Sequence, residues 1–285
     1  MFISPMLLET APGPFSHSDY IFEPKVDGHR LIYSQQSGVV RLYTRHNNDC
    51  TQQYPEILLP FDSDIILDGE VACTDPETGL NDFEAVMSRF STRQQLKVQQ
   101  LTKTLPATFA IFDILQYKGH DLRKLPLMER KAILQALQLP SSSFGLVPHI
   151  EGAGEALYEQ IEGMGMEGVV GKRKDSQYIS RRSSNWLKII NWSVADVYIT
   201  GYKKSEFGWL AAVPDPTGRM RPVGVIEHGP SPKHKQAFRG VCSQLITGED
   251  KNNVYLEPRI QARVKMRNWT KSGLLRIPVF EQFIV

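Results

Sequence analysis

Residues 23–30 read EPKVDGHR, a lysine with an acid two places away on either side, then an arginine and the apolar run LIY. Lys25 stands among Ile21, Phe22, Val26 and Leu31. On such a bed burial disfavours the ammonium and releases a neutral amine, which is a nucleophile. Glu23 and Asp27 favour the cation instead, so a reactive lysine here needs further positive charge nearby. Carboxylates able to hold a metal ion recur in or beside apolar runs: Asp68 and Glu70 in IILDGE, Asp113 in FAIFDIL, Glu167 in EGVV. Oxygen ligands without a His/Cys cluster suit Mg²⁺ or Mn²⁺ bound together with phosphates. Singly, each acid fits a turn or cap equally well, and a lysine is by default a solvated charge. Together they mark a nucleotide-type site.

The elements that must position these residues are readable as texture. Segments 20–33, 38–45, 64–73 and 106–115 are β-branched or aromatic-rich and bounded by Gly, Asn, Asp or Pro, so they read as strands. Segments 80–103, 127–138 and 154–163 read as helices, and MERKAILQAL carries an acid in its first turn. EGVVGKR (167–173) reads as a strand running into the basic stretch KDSQYISRRSSNW. Beyond residue 192 the texture becomes about five short strands with one helix near 231–245, which fits a small barrel of the OB type or a sandwich.

Length and composition agree with two soluble domains. The chain has 285 residues, 41% hydrophobic and 22% charged. No apolar run is long enough to span a membrane, and the start does not read as a signal peptide. Cys50, Cys73 and Cys242 are widely separated and read as reduced thiols, so a cytoplasmic setting is expected. Net charge is only +2, but residues 1–192 carry 19 bases against 23 acids and residues 193–285 carry 14 against 8. The basic third is expected to meet a polyanion, or to be a solvated lysine-rich face.

The order KVDGHR, LDGE, FAIFDIL, EGVVGKR, SNWLKI resembles the ordered motifs of the covalent nucleotidyltransferases: ATP-dependent DNA ligases, RNA ligases and capping guanylyltransferases. EGVVGKRKDSQYISRRSSNWLKI followed by ADVYITGY is similar to the compact two-domain DNA ligases of bacteria and phages and to the ligase part of bacterial end-joining proteins. The resemblance covers nearly the whole chain. It implies an α+β fold: a nucleotidyltransferase (adenylylation) domain over 1–192, with antiparallel sheets and helices in an ATP-grasp-like arrangement, and an all-β OB-fold DNA-binding barrel over 193–285.

The same resemblance implies roles. Lys25 attacks the α-phosphorus of ATP and holds AMP, with Asp27 at the 3′-hydroxyl and metal during sealing and Lys188 at the α-phosphate, aided by Lys172. Glu23 lies near the adenine edge and Phe112 stacks on the adenine. Glu70 meets the ribose or a metal-bound water, and Glu167 holds Mg²⁺ or Mn²⁺. Arg30 and Arg45 grip the terminal phosphate of the nicked strand. Arg182, Arg263, Lys265 and Arg267 join them in contacting nicked duplex DNA. A monomer is expected, an end-binding or replication protein is the kind of partner implied, and no membrane is expected.

Two departures stand out. The fifth motif usually reads Lys-x-Lys, and here Ile190 follows Lys188-Ile189. After LRIPVF the family commonly carries Arg-x-Asp-Lys, and here the residues read EQFIV. Either the first step is slow or bases such as Lys265, Arg267 and Lys271 stand in. Competing readings are an RNA ligase or capping enzyme, and a non-catalytic nucleic-acid-binding protein with a decayed site.

Overall fold

The run expected as one strand over 20–33 is two strands in two different sheets. In the computed structural model, which describes residues 1–284, the chain forms β1 (Leu7–Thr10), β2 (Tyr20–Pro24), β3 (His29–Gln36), β4 (Val39–Thr44) and β5 (Ile65–Cys73). Helices α1 (Phe83–Ser91) and α2 (Gln95–Thr104) follow, then β6 (Ala107–Tyr117) and β7 (His120–Asp121). Next come α3 (Leu127–Gln135), β8 (Phe144–Leu146), β9 (Ile150–Glu151), α4 (Gly154–Gly163), β10 (Gly168–Arg173) and β11 (Arg182–Ile190). One sheet has the order β1-β11-β10-β2-β9, the other β4-β3-β5-β6-β7 with β8 beside β6. Residues 25–28 are the crossing between the two sheets. Pro24 supplies no N–H to extend the ladder. Gly28 lets the backbone press against β5, where a Cβ would meet the Val71 carbonyl oxygen at 2.0 Å.

Side-chain alternation explains the layers. Ile21 of β2 and Ile32 of β3 enter one cluster with Ile66, Leu115 and Trp186, drawn from strands of both sheets. Their neighbours point the other way. Phe22 packs with Leu157 and Ile161 of α4, and Leu31 and Tyr33 pack with Val86 of α1. The pairing is mostly antiparallel, but β1 lies parallel to β11 and β8 parallel to β6.

The single helix expected over 80–103 is also two. Thr92 is extended (ψ 127°), and its hydroxyl bonds back to Ser88 O at 2.8 Å, a local alternative to continuing the helix. The fold-back places buried Arg89 against Leu105 O (2.6 Å), Gln53 O (2.9 Å) and the Glu56 carboxylate (2.7 Å).

The chain divides into two compact units, Met1–Asn191 and Trp192–Val285. The second holds β12 (Ser193–Lys203), β13 (Trp209–Pro214), β14 (Met220–Ile226), α5 (Pro232–Cys242), β15 (Ile246–Glu249), β16 (Asn253–Met266) and β17 (Val279–Ile284). Its sheet order is β14-β13-β12-β16-β15, with β17 also paired to β16. Helix α5 starts in a Ser231/His234 capping box and inserts Phe238 and Cys242 into a core around Trp209 and Phe280. The whole is a sheet-rich α+β protein. No helix among the described residues is long and apolar enough to cross a membrane.

Candidate active site

Lys25 enters the site because the crossing ends β2 beside β10. Its backbone N–H donates to Gly168 O at 2.8 Å, and its Nζ donates to Glu167 Oε2 at 2.7 Å. The pair is mostly covered, with side-chain exposures of 20% and 10%. An open cavity lies there, and its walls include Glu23, Lys25, Arg30, Glu70, Phe112 and Lys172. Six of the residues singled out from sequence thus share one cavity, and Glu167 reaches its lysine.

Electrostatics differ sharply between the acids. Burial pushes Glu70 up to about 7; Lys25 and Arg30 restrain the rise, and Asp68 and Asp27 add to it. Glu23 is buried too, yet its carboxyl is held below the usual range, because Lys131 and then Lys172 outweigh desolvation. Lys172 touches Glu23 Oε2 at 2.6 Å, and Lys131 contacts Oε1. Both contacts are close in charge but lie at angles outside those of a hydrogen bond, so Glu23 Oε1 and Lys172 Nζ lack a directional partner. Burial brings Lys172 down to about 8, with Glu23 opposing and Lys131 adding to the fall. Its ammonium sits 4.3 Å from the Phe112 ring and 4.2 Å from that of Trp186. Lys188 on β11 is lowered by burial and then by Lys25, Arg182 and Arg45, so these four bases share one field.

Two expectations change. Asp68 and Asp113 are not available to a metal: they face one another across β5 and β6, and each is taken by an arginine. Arg30 grips Asp68 through two contacts of 2.5 Å, and Arg130 grips Asp113 through two of 2.8 Å. Opposed like charges on neighbouring strands need such neutralisation. For the same reason Arg30 is not an open phosphate grip, although it lines the cavity. The Phe112 ring, expected to stack on a base, lines the cavity, with Arg30 at 4.5 Å and Lys172 at 4.3 Å from its centroid.

Arg45 is exposed past the end of β4, with Nε on His46 at 2.8 Å. Arg182 is exposed on β11 and bonds to Leu8 O. In the second unit Arg263 is forked onto Asp196 at 2.8 and 3.0 Å, while Lys265 and Arg267 lie 5.5 and 5.6 Å from the Trp192 ring. Ile190, in place of a second lysine, pairs with Gly168 at the end of β11.

Two residues escaped the sequence reading. Trp186 lines the cavity with its buried Nε1 unpartnered; it was visible within SNWLKI but only as motif spacing. Lys131 was visible only as a position in a helix. Among the described residues no group of three or more His, Cys, Asp or Glu is placed to hold a metal ion. Glu70 and Glu167 are the carboxylates that fit one, because Mg²⁺-type ions take one or two protein oxygens and complete their shell with phosphates and water.

A cavity lined by a lysine, buried carboxylates and aromatic rings in a sheet-rich α+β fold suits a phosphate-bearing nucleotide. Solved structures carry the same fold. The mycobacterial DNA ligase D complexed with ATP and MES is 26% identical with a TM-score of 0.60, covering 99% of this chain and 94% of that one. A Lig E DNA ligase matches in fold at a TM-score of 0.70 and 19% identity, over the whole of both chains. Residues 5–189 match the ATP dependent DNA ligase domain, and the chain belongs to that enzyme family. It is 37% identical to the SPbeta prophage-derived DNA ligase-like protein LigB of Bacillus subtilis, across all of both chains. It is 29% identical to the bifunctional non-homologous end joining protein LigD of Bacillus subtilis over 87% of this chain, which spans only 44% of that relative.

Proposed function

We propose that Lys25 carries AMP and that the protein seals 5′-phosphate/3′-hydroxyl nicks in duplex DNA in three transfers. The Lys25 amine attacks the α-phosphorus of ATP, a P–N bond forms, and pyrophosphate leaves. The 5′-phosphate of the nick takes AMP from the lysine. The 3′-hydroxyl then attacks that phosphate and AMP departs. The carrying observation is the contact of Lys25 Nζ with Glu167 beside a cavity whose walls also carry Glu23, Glu70 and Lys172.

At rest Glu167 holds the lysine as an ammonium, so the proton must leave and the carboxylate must be drawn off before attack. Glu70 and Glu167 would hold a Mg²⁺ or Mn²⁺ ion, which would supply positive charge against the triphosphate and draw Glu167 away from the lysine. Lys188 and Lys172 then face charge developing on phosphate, Glu23 meets the adenine edge, and Asp27, near Glu70, serves the 3′-hydroxyl. Arg45 and Arg182, exposed on the Lys188 side, take the nick phosphate.

For the second unit we propose an OB-type barrel. Its support is a bridge between His228, just past edge strand β14, and Val279 of β17 at the other edge. It is reinforced by Phe280 N donating to His228 O at 2.9 Å. Lys265 on β16 and Arg267 just past its end would track DNA phosphates without reading sequence.

The test is incubation with α-labelled ATP and Mg²⁺ or Mn²⁺, followed by denaturation. Acid-labile, alkali-stable label on the protein, absent from Lys25→Ala and weak with GTP, is expected. Equal label on Lys25→Ala would overturn the assignment.

A further inference from the structure

We infer that Lys131 is a positioning residue for base selection: from behind the cavity it holds the Glu23 carboxylate as an acceptor for the 6-amino group of the purine. The inference rests on the cavity being the ATP site.

Lys131 comes from α3, is 3% exposed, and is not itself a wall of the cavity. It contacts Glu23 Oε1 on one side while Lys172 contacts Oε2 on the other. An isolated carboxylate as buried as Glu23, at 2% exposure, would take up a proton. A protonated Glu23 would be donor as well as acceptor and would accept a 6-oxo purine as readily as a 6-amino one. With Lys131 in place the group is acceptor-only. A 6-amino group then finds a partner, whereas a 6-oxo group sets oxygen against oxygen. Lys172 alone cannot do this work, because its ammonium is also drawn toward the Phe112 and Trp186 rings. Helix α3 is pinned by its neighbour Arg130, whose guanidinium is locked on Asp113, Leu125 O and Ser176 O. That anchorage keeps the backbone of Lys131 beside Glu23.

The experiment measures KM and maximal rate of self-adenylylation with ATP, inosine triphosphate and purine riboside triphosphate, which lacks the 6-amino group. Wild type, Lys131→Met and Lys131→Arg are compared, with thermal melts of each. Wild type should prefer ATP to the other two by roughly tenfold to a hundredfold, the value of a charged hydrogen bond. Lys131→Met should raise KM for ATP by a similar factor, shift KM for inosine triphosphate by less than about threefold, and leave maximal rate nearly unchanged; Lys131→Arg should restore discrimination. Equal losses for ATP and inosine triphosphate would overturn the inference, as would wild type showing no preference for ATP over purine riboside triphosphate. That wild-type comparison can overturn the inference even if Lys131→Met fails to fold. Nucleotide binding is followed separately by displacement of a fluorescent ATP. Label persisting on Lys25→Ala with base discrimination intact would therefore sink the lysine assignment alone.

Discussion

Lys25 Nζ lies 2.7 Å from Glu167 Oε2, joining residues 142 positions apart in the chain. The contact puts the nucleophile's charge under the control of a carboxylate that a metal ion would also want. Glu167→Gln keeps the shape but removes the charge. Label transfer to Lys25 should fall on the order of 10²-fold, the size of losing one preorganised electrostatic partner. The apparent metal requirement should rise with it. Single-turnover labelling across a metal titration measures both, and an unchanged rate would remove Glu167 from the site.

Glu70 supplies a pH signature. Its folded pKa, about 7, lies above the ordinary 4.5, so the folded state holds more protons than the unfolded one between those values. The associated stability is fully present below 4.5 and is lost as pH rises through 7, by about 3 kcal/mol at most. Glu70→Gln escapes that loss and should gain on wild type steadily from pH 5 to pH 8 in urea denaturation. Comparing the two proteins cancels His29, which burial lowers to about 4 and which acts in the opposite sense. Label transfer should rise in wild type through pH 7, and this limb should vanish in Glu70→Gln.

Arg130 and Asp113 are both fully buried. Arg130→Met strands a carboxylate that faces Asp68 across the sheet. It should cost about 3–5 kcal/mol, while the double change with Asp113→Leu should recover much of it. A double-mutant cycle by chemical denaturation reads the coupling. Additive losses would mean the pair is not an energetic unit.

Gly28→Ala puts a methyl group where the Val71 carbonyl already stands. The crossing must shift away from β5 and carry Lys25 with it. We expect label transfer to drop by at least about 10²-fold, with thermal stability lowered but folding retained. Wild-type labelling in this variant would show that the crossing is not held by that contact.

On the second unit, Lys265→Ala should weaken nicked-duplex binding more than Arg263→Ala, because Arg263 is already forked onto Asp196. The slope of log affinity against log salt should fall by about one for Lys265 and by less for Arg263. Titrations at several salt concentrations make the comparison, and a reversed ranking would count against β16 as the phosphate-tracking strand.

Much of the site is legible in the chain because its residues announce themselves by type beside apolar runs. Lys25, Glu70, Glu167 and Lys172 could be marked that way, and so could α4 and the strand after Glu167. The breaks at 25–28 and 92–94 were not legible, since each depends on a partner far off in sequence: Val71 for the first, and Glu56, Gln53 and Leu105 around Arg89 for the second. Texture also could not rank the acids. Asp68, Glu70 and Asp113 look alike as isolated carboxylates, and only strand register sets Asp68 against Asp113 and brings Arg30 and Arg130 to them.

By itself, then, the amino-acid order determined which chemistry is possible: one lysine able to act as a nucleophile, oxygen ligands for a hard cation, and a basic last third. Tertiary structure decided which of those groups remain available. It closed two acids and an arginine into buried ion pairs, left Glu70 and Glu167 at the cavity, and set Lys131 behind Glu23. The physical reason is that charge availability is a property of burial and partners, and partners such as Lys25 and Glu167 or Glu23 and Lys172 lie far apart in the chain, where no local pattern reaches.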